Sequence, residues 1–244
     1  KKSDTAENTA ALDKKSHISV SIPPLKWITE KIAGSDFTVT SVVSSNISPE
    51  LFDTSVKTIQ ELEASDLYFS FDLFAFEHKL EDAVSNPGKI YNVLENNSYL
   101  LKEDQEAHTG DWHNHGDYDP HVWFSMDIDS SIAENIKNVL SEKYPEKKDI
   151  FEKNYSDFIS EINTFNTELK NILSDKKSKI FVIYHPALTY FAKEHNLTQV
   201  SVEQEGKEPT AQYLKNVINE IKKNNVKVLL VQPQFPKSSV DLIS

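Results

Sequence analysis

Two histidines stand out among the side chains able to do chemistry. His121 lies in Asp119-Pro120-His121-Val122-Trp123, and His185 lies in Tyr184-His185-Pro186-Ala187-Leu188-Thr189-Tyr190-Phe191-Ala192. Each has a proline beside it, which fixes the local backbone, and aromatic neighbours that can shield a site from water. Imidazole is the commonest protein ligand for a transition metal. A lone histidine ahead of an apolar run is more often structural, and His121 by itself carries little. His185 ends the apolar run from Ile180 to Tyr184, and open α/β sheets bind ligands at the carboxyl ends of their strands. Two such histidines, distant in the chain, can converge on one ion from two halves of a molecule.

A third cluster, His113-Asn114-His115-Gly116-Asp117-Tyr118, has more than one reading. It nearly matches the His-x-His-x-Asp-His pattern of metallo-β-lactamase-fold hydrolases, whose metal activates a water. On that reading His113, His115, Asp117 and His121 would serve a metallohydrolase. Tyr118 replaces the last histidine, however, and the long succession of strands that such a fold needs is missing. The same segment can also be a histidine-rich loop that captures metal, or a solvated loop with no role. His17, His78 and His195 have ordinary strand or helix neighbours and read as structural or surface residues.

Composition removes other chemistries. The chain has 244 residues, no cysteine and five glycines. Thiolate metal sites, disulfides and cysteine nucleophiles are therefore excluded. No glycine-rich phosphate loop follows a strand, and neither a His-Glu-x-x-His helix nor a Gly-x-Ser-x-Gly elbow occurs. All 26 basic residues are lysine, so bidentate arginine recognition of phosphate is ruled out, and a formal charge of −12 opposes nucleic acid and anionic lipid. No apolar run approaches the ~20 residues of a membrane span.

The elements that must position the histidines alternate between strand and helix. Strands are expected at His17–Ile22, Phe37–Val43, Asp66–Phe71 and Lys89–Leu94, with Pro23 and Pro24 ending the first. Helices are expected at Leu25–Ala33, Ser55–Ala64 and Ala75–Val84 between them. This alternation implies an α/β fold with a parallel sheet covered by helices. Helical spacing then dominates Asp129–Leu140 and Pro145–Leu173. A second α/β set follows, with strands at 180–184, 198–203 and 226–232 and helices at 187–195 and 213–223. The expected organisation is a disordered tether over 1–16 and an N-terminal α/β lobe over 17–144, with a histidine-bearing loop at 96–118. A linking helix over 145–178 then leads to a C-terminal α/β lobe over 179–244, which looks incomplete.

In this order the motifs resemble a known family, the zinc- and manganese-type metal-binding proteins of bacterial ABC transporters. The resemblance covers His17 to Ser244. It rests on Val20-Ser21-Ile22-Pro23-Pro24-Leu25, Ala64-Ser65-Asp66-Leu67-Tyr68-Phe69, Asp119-Pro120-His121-Val122-Trp123 and Tyr184-His185-Pro186-Ala187. Gly206-Lys207-Glu208-Pro209 and Val231-Gln232-Pro233-Gln234-Phe235 complete it. The resemblance implies two α/β lobes joined by one long helix, with the metal held between them by His121 and His185. The family's first lobe usually gives a histidine from a Ser-Pro-His-x-Tyr-Glu-Pro loop. Here the loop reads Ser48-Pro49-Glu50-Leu51-Phe52-Asp53-Thr54, which puts Glu50 at the ligand position. Carboxylate binds zinc at about 2.0–2.2 Å, so Glu50 can take that role. The family's fourth ligand, an aspartate, would lie beyond Ser244. Glu205 is near a glutamate ligand of manganese-type members but is not favoured beside His185, and His113 and His115 are accessory candidates.

The resemblance further implies a non-catalytic carrier that takes up a divalent metal and passes it to an ABC permease. Zn²⁺ is the expected cargo, with Mn²⁺ or Fe²⁺ the alternatives that a more oxygen-rich site would take. It implies a monomer in the periplasm or at the outer face of the cytoplasmic membrane, held there only by a lipid anchor outside this chain. A surface adhesin of the same fold, with a structural metal, is the remaining rival.

Overall fold

The computed structural model describes residues 15–101, 118–203 and 209–233. Residues 1–14 of the expected tether, the histidines at 108, 113 and 115, Asp117, Glu205 and the last residues from 234 onward lie outside the described residues, and Ser16, expected to end the tether, instead begins the first strand.

The first sheet has four parallel strands: β1 (Ser16–Val20), β2 (Phe37–Ser41), β3 (Leu67–Ser70) and β4 (Ile90–Asn92), in the order β2-β1-β3-β4. Its connections are helical, through α1 (Pro23–Ala33), α2 (Val56–Glu63) and α3 (Ala75–Ala83). Every residue of β3 is buried, as a central strand covered on both faces requires. A second parallel sheet contains β5 (Ile180–Ile183), β6 (Thr198–Ser201) and β7 (Leu229–Leu230), in the order β6-β5-β7. Its helices are α6 (Thr189–Glu194) and α7 (Ala211–Lys223). Between the sheets run α4 (Met126–Lys143) and α5 (Lys148–Ser174). The molecule is thus two α/β lobes with parallel sheets, linked by one long helix.

Pro23 and Pro24, which read in the sequence as the end of a strand, instead begin α1. The first turn of a helix has no partner for its N–H groups, so proline loses nothing there and its fixed φ favours the turn. Leu25, Ile28 and Ile32 of α1 are then fully or almost fully buried. Each contributes roughly 1.5–3 kcal/mol of apolar burial. The helix stops at Gly34, whose φ of 75° belongs to the left-handed region, and a Cβ there would come within 3.2 Å of Asn154 Nδ2. That amide, on α5, donates to Ile32 O at 2.9 Å and ties the linking helix to the end of α1.

The apolar stripe along α5 is only half used as core. Phe151 and Phe158 are buried against the first lobe, whereas Phe165 and Ile172 are 57% and 59% exposed. At ~1.5 Å per residue the helix is about 40 Å long. It packs on α1 and α4 with its first half and leads toward β5 with its second. The last strand is shorter than the apolar run suggests, since only Leu229 and Leu230 pair with β5. Among the described residues no helix is long and apolar enough to cross a membrane.

One buried charge shapes the carboxyl edge of the first sheet. The Glu77 carboxylate, fully buried on α3, accepts the backbone N–H groups of Phe71, Leu73 and Phe74, each at 2.9 Å. These donors would otherwise be orphaned in the turn between β3 and α3.

Candidate metal centre

The donor atoms come from three loops, two of them after strands β2 and β5 and the third just ahead of α4. The segment after β2 closes a short 3₁₀ turn, Pro49–Leu51, that carries Glu50. Pro49 starts the turn, and Phe52 anchors its far side by packing edge-on against Phe76 of α3, with centroids 5.1 Å apart. His121 lies just ahead of the 3₁₀ turn Val122–Phe124, which leads into α4. His185 follows β5 after a single residue, Tyr184. Its backbone N–H and carbonyl are engaged by the Gln232 side-chain amide, at 3.4 and 2.7 Å.

These loops bring three donors together across the lobes. His121 Nε2 lies 3.0 Å from His185 Nε2, and Glu50 Oε1 lies 3.4 Å from the first and 3.3 Å from the second. All three side chains are nearly enclosed, 11–12% exposed. A tetrahedral ion with ligands at 2.0–2.1 Å separates neighbouring donors by roughly 3.3 Å. The triangle therefore has the size of one face of a zinc coordination shell. Two imidazoles and one carboxylate are also a donor set that suits that ion.

Each imidazole is oriented by a carboxylate on its other nitrogen. Asp119 Oδ1 accepts both the backbone N–H and the ring Nδ1–H of His121, each at 2.9 Å. Glu203 Oε2 accepts from Nδ1 of His185 at 2.6 Å. An ionised carboxylate can only accept, so Nδ1 keeps its proton and the Nε2 of each ring faces the centre, where it becomes the ligand atom once its own proton is displaced. Such carboxylate–histidine pairs fix the tautomer and raise the basicity of the metal-binding nitrogen. Trp123 closes one side, edge-on to the His121 ring at 5.4 Å.

The charges explain why these groups tolerate burial. Burial by itself pushes the Glu50 carboxyl up, but the hydrogen bonds and positive charge of His121 and His185 overturn this and hold it well below the ordinary carboxylate range. Burial likewise pulls both imidazoles down, and their carboxylates reverse it: Glu203 and Glu50 raise His185 to about 9, and Asp119 and Glu50 raise His121. Without a cation the site holds protons, which an arriving metal has to displace.

The lobes are joined here by more than the donors. Tyr190 on α6 donates its hydroxyl to Asp119 O at 2.8 Å and accepts the Leu101 N–H at 3.2 Å. Glu194 accepts from Ser125 Oγ and, at 3.3 Å, from Met126 N, so a carboxylate of the second lobe caps α4 of the first.

Of the candidates read from the sequence, His121, His185 and Glu50 are brought to one point. His113, His115 and Glu205 lie outside the described residues. Sequence reading missed Asp119 and Glu203 as orienting groups, although the acid two residues before His121 was a usable signal. Glu203 had none, because it reaches His185 only through the pairing of β6 with β5.

A family model described as zinc-uptake complex component A, periplasmic (ZnuA), matches residues 18–244. The zinc-binding lipoprotein AdcA of Streptococcus pneumoniae strain R6 is 27% identical over 247 residues, covering 97% of this chain and 49% of AdcA. The high-affinity zinc uptake system protein ZnuA of Bacillus subtilis strain 168 is 26% identical, covering 88% of this chain and 70% of that protein. A crystal structure of ZnuA superposes with a TM-score of 0.84 at 30% identity, covering 94% of this chain and 87% of that one. The chain spans about half the length of the AdcA relatives it matches. With its two parallel-sheet lobes, its linking helix and a match over nearly its whole length, the chain belongs to the zinc-uptake complex component A family.

Proposed function

We propose that this protein is an extracytoplasmic solute-binding protein that captures Zn²⁺ between its two lobes and delivers it to an ABC permease. His121, His185 and Glu50 are the ligands, and the ion is cargo. The observation that carries this reading is the triangle of donors drawn from both lobes, with edges of 3.0, 3.3 and 3.4 Å, each imidazole backed by its own carboxylate. Enclosure favours retention, because a catalytic zinc keeps a position open to water and substrate, whereas here buried side chains crowd the donors. The protein is accordingly a carrier and not an enzyme. Its relatives, a zinc-binding lipoprotein and a zinc uptake protein, support zinc as the cargo, a permease as the partner and the outer side of the cytoplasmic membrane as the location. Attachment there is through a lipid anchor, and the folded unit acts as a monomer.

The test is calorimetric titration of the metal-stripped protein with Zn²⁺ and Mn²⁺, repeated for His121→Ala and His185→Ala. Tight zinc binding that both substitutions weaken is the expected result. If His185→Ala binds zinc as the parent does, the two-lobe site is wrong.

A further inference from the structure

A second group of metal-ligating side chains lies outside the first centre, on the same carboxyl edge of the first sheet. Asp72 sits in the turn after β3, and His78 and Glu81 are one turn apart on α3, so they share a helix face. The three offer one donor atom each within 4.8 Å of one another, and His78 Nδ1 is 3.0 Å from Asp72 Oδ1. His78, which reads in the sequence as an ordinary helix residue, gains this setting only from the fold.

We propose that Asp72, His78 and Glu81 form a second, exchangeable Zn²⁺ site, separate from the centre between the lobes. One imidazole and two carboxylates are a donor set for a borderline divalent cation, and partial exposure leaves its remaining coordination positions to water. The carboxylates are held from outside the cluster. Asn92 Nδ2, at the end of β4, donates to Asp72 Oδ2 at 3.3 Å, and Ser70 Oγ, at the end of β3, donates to Glu81 Oε1 at 2.9 Å. Each neutral donor holds one carboxylate oxygen from outside, and the other oxygen of Asp72 faces His78 within the cluster, which is how outer residues orient metal ligands. Asp72 also keeps a φ of 58°, a left-handed conformation that is uncommon for a residue with a side chain.

The charge around the cluster is unbalanced. The groups facing Glu81 are Asp72, His78 and Asp82, with no lysine among them. Among these groups His78 alone can be cationic, and a divalent ion would add charge that the two carboxylates beside it can share. The two sites are separated by aromatic packing. Phe71, beside Asp72, stacks on Trp123 at 6.4 Å, and Trp123 in turn meets the His121 ring. The second site therefore shares no ligand with the first and does not depend on which metal the first one takes.

The test uses the full chain carrying His121→Ala and His185→Ala, which removes the imidazoles of the first centre. Zn²⁺ is titrated by equilibrium dialysis, and the histidine ring resonances are followed by NMR. One equivalent should remain, held at least ~100-fold more weakly than the interlobe ion, with the His78 ring shifting as it fills. His78→Ala should abolish it, and Asn92→Ala should weaken it by about tenfold. In the otherwise parental chain, His78→Ala should lower the stoichiometry by one and leave the tight step unchanged. The proposal is overturned if no equivalent remains in the double variant. It is equally overturned if the equivalent survives His78→Ala, including the case where His113→Ala with His115→Ala removes it instead. An exposed control, Glu142→Gln, that weakens binding as much as Asp72→Asn would also overturn it, by showing diffuse attraction to an acidic surface.

Discussion

Glu50 is the ligand whose replacement tests the proposed site most sharply, because it stands where the family resemblance expects a histidine. Structural zinc sites in small peptides bind with apparent free energies of about 10–16 kcal/mol spread over four protein donors, or about 3 kcal/mol per donor. At about 1.4 kcal/mol per decade, deleting one donor should raise Kd roughly 100-fold. The structure contributes an opposing effect. The Glu50 carboxylate, 3.3–3.4 Å from both Nε2 atoms, helps keep His185 protonated up to about 9, and its removal lets the rings release protons more easily to an incoming metal. The net loss for Glu50→Ala should therefore be smaller, roughly 30- to 100-fold. Glu50→His should recover most of the zinc affinity while lowering the relative affinity for Mn²⁺, since a nitrogen donor replaces an oxygen. Competition against a chromophoric zinc chelator at neutral pH reads both variants. A Kd for Glu50→Ala within about threefold of the parent's would refute the reasoning, because it would mean that Glu50 shares the site without binding the ion.

Three further outcomes are expected. Glu203→Gln keeps an acceptor for the His185 ring and should weaken zinc about tenfold, while Glu203→Ala, which leaves the ring free to turn, should approach a 100-fold loss in the same assay. Glu77→Ala strands three buried N–H groups at about 1–3 kcal/mol each, so urea unfolding should show a loss of at least ~3 kcal/mol with the slope unchanged. Asp129→Asn should stabilise the protein at neutral pH by on the order of 1 kcal/mol, because Asp129 Oδ1 is buried without a partner, and burial, then Glu194, raises that carboxyl well above 3.8. The folded state then binds this proton more tightly than the unfolded state, so the parent loses stability as pH rises from the ordinary carboxylate range toward the raised value. The variant should lack that decline in thermal melts taken across the acid range.

The sequence was most informative where a chemical type and a backbone constraint coincide. His185 was legible because an apolar run of strand length ends on it, and His121 because a proline and an aromatic residue bracket it. The alternation of strand and helix gave both parallel sheets, since each βαβ unit repeats its own pattern locally. Glu50 was legible only by resemblance. An acid in a polar loop of a chain with 38 acidic residues carries no signal of its own. Asp119 and Glu203 differ in the same way: the first contacts a residue two positions away, while the second depends on strand register. His78 and Asp72 show the limit of local reading, because the turn after β3 brings together residues that no period connects. Pro23 and Pro24 were misread because proline both ends strands and begins helices, and only the burial of Leu25, Ile28 and Ile32 decides between the two.

On the proposed reading, a carrier must also release its ion, and the contacts around the centre limit how that can happen. Rotating the lobes apart would separate His121 from His185, but it would also break the Tyr190 bonds to Asp119 O and Leu101 N, together with the Glu194 cap on α4. Each buried bond is worth roughly 1 kcal/mol net, and those to a charged group about 1.5–3, so this clamp amounts to several kcal/mol that owes nothing to the metal. The unbroken α5 adds resistance, since bending a helix without proline or glycine costs backbone hydrogen bonds. Glu50 is held more lightly. Its 3₁₀ turn spans three residues, with Leu51 beside it 75% exposed and Ile47 just before it 42% exposed. The fixed part of the site is thus the pair of carboxylate-braced imidazoles, and the loop of residues 44–51, ahead of the Phe52 anchor, is the part that can leave with the fewest bonds broken. A permease that engages this loop would need to supply far less energy than one that levers the lobes apart.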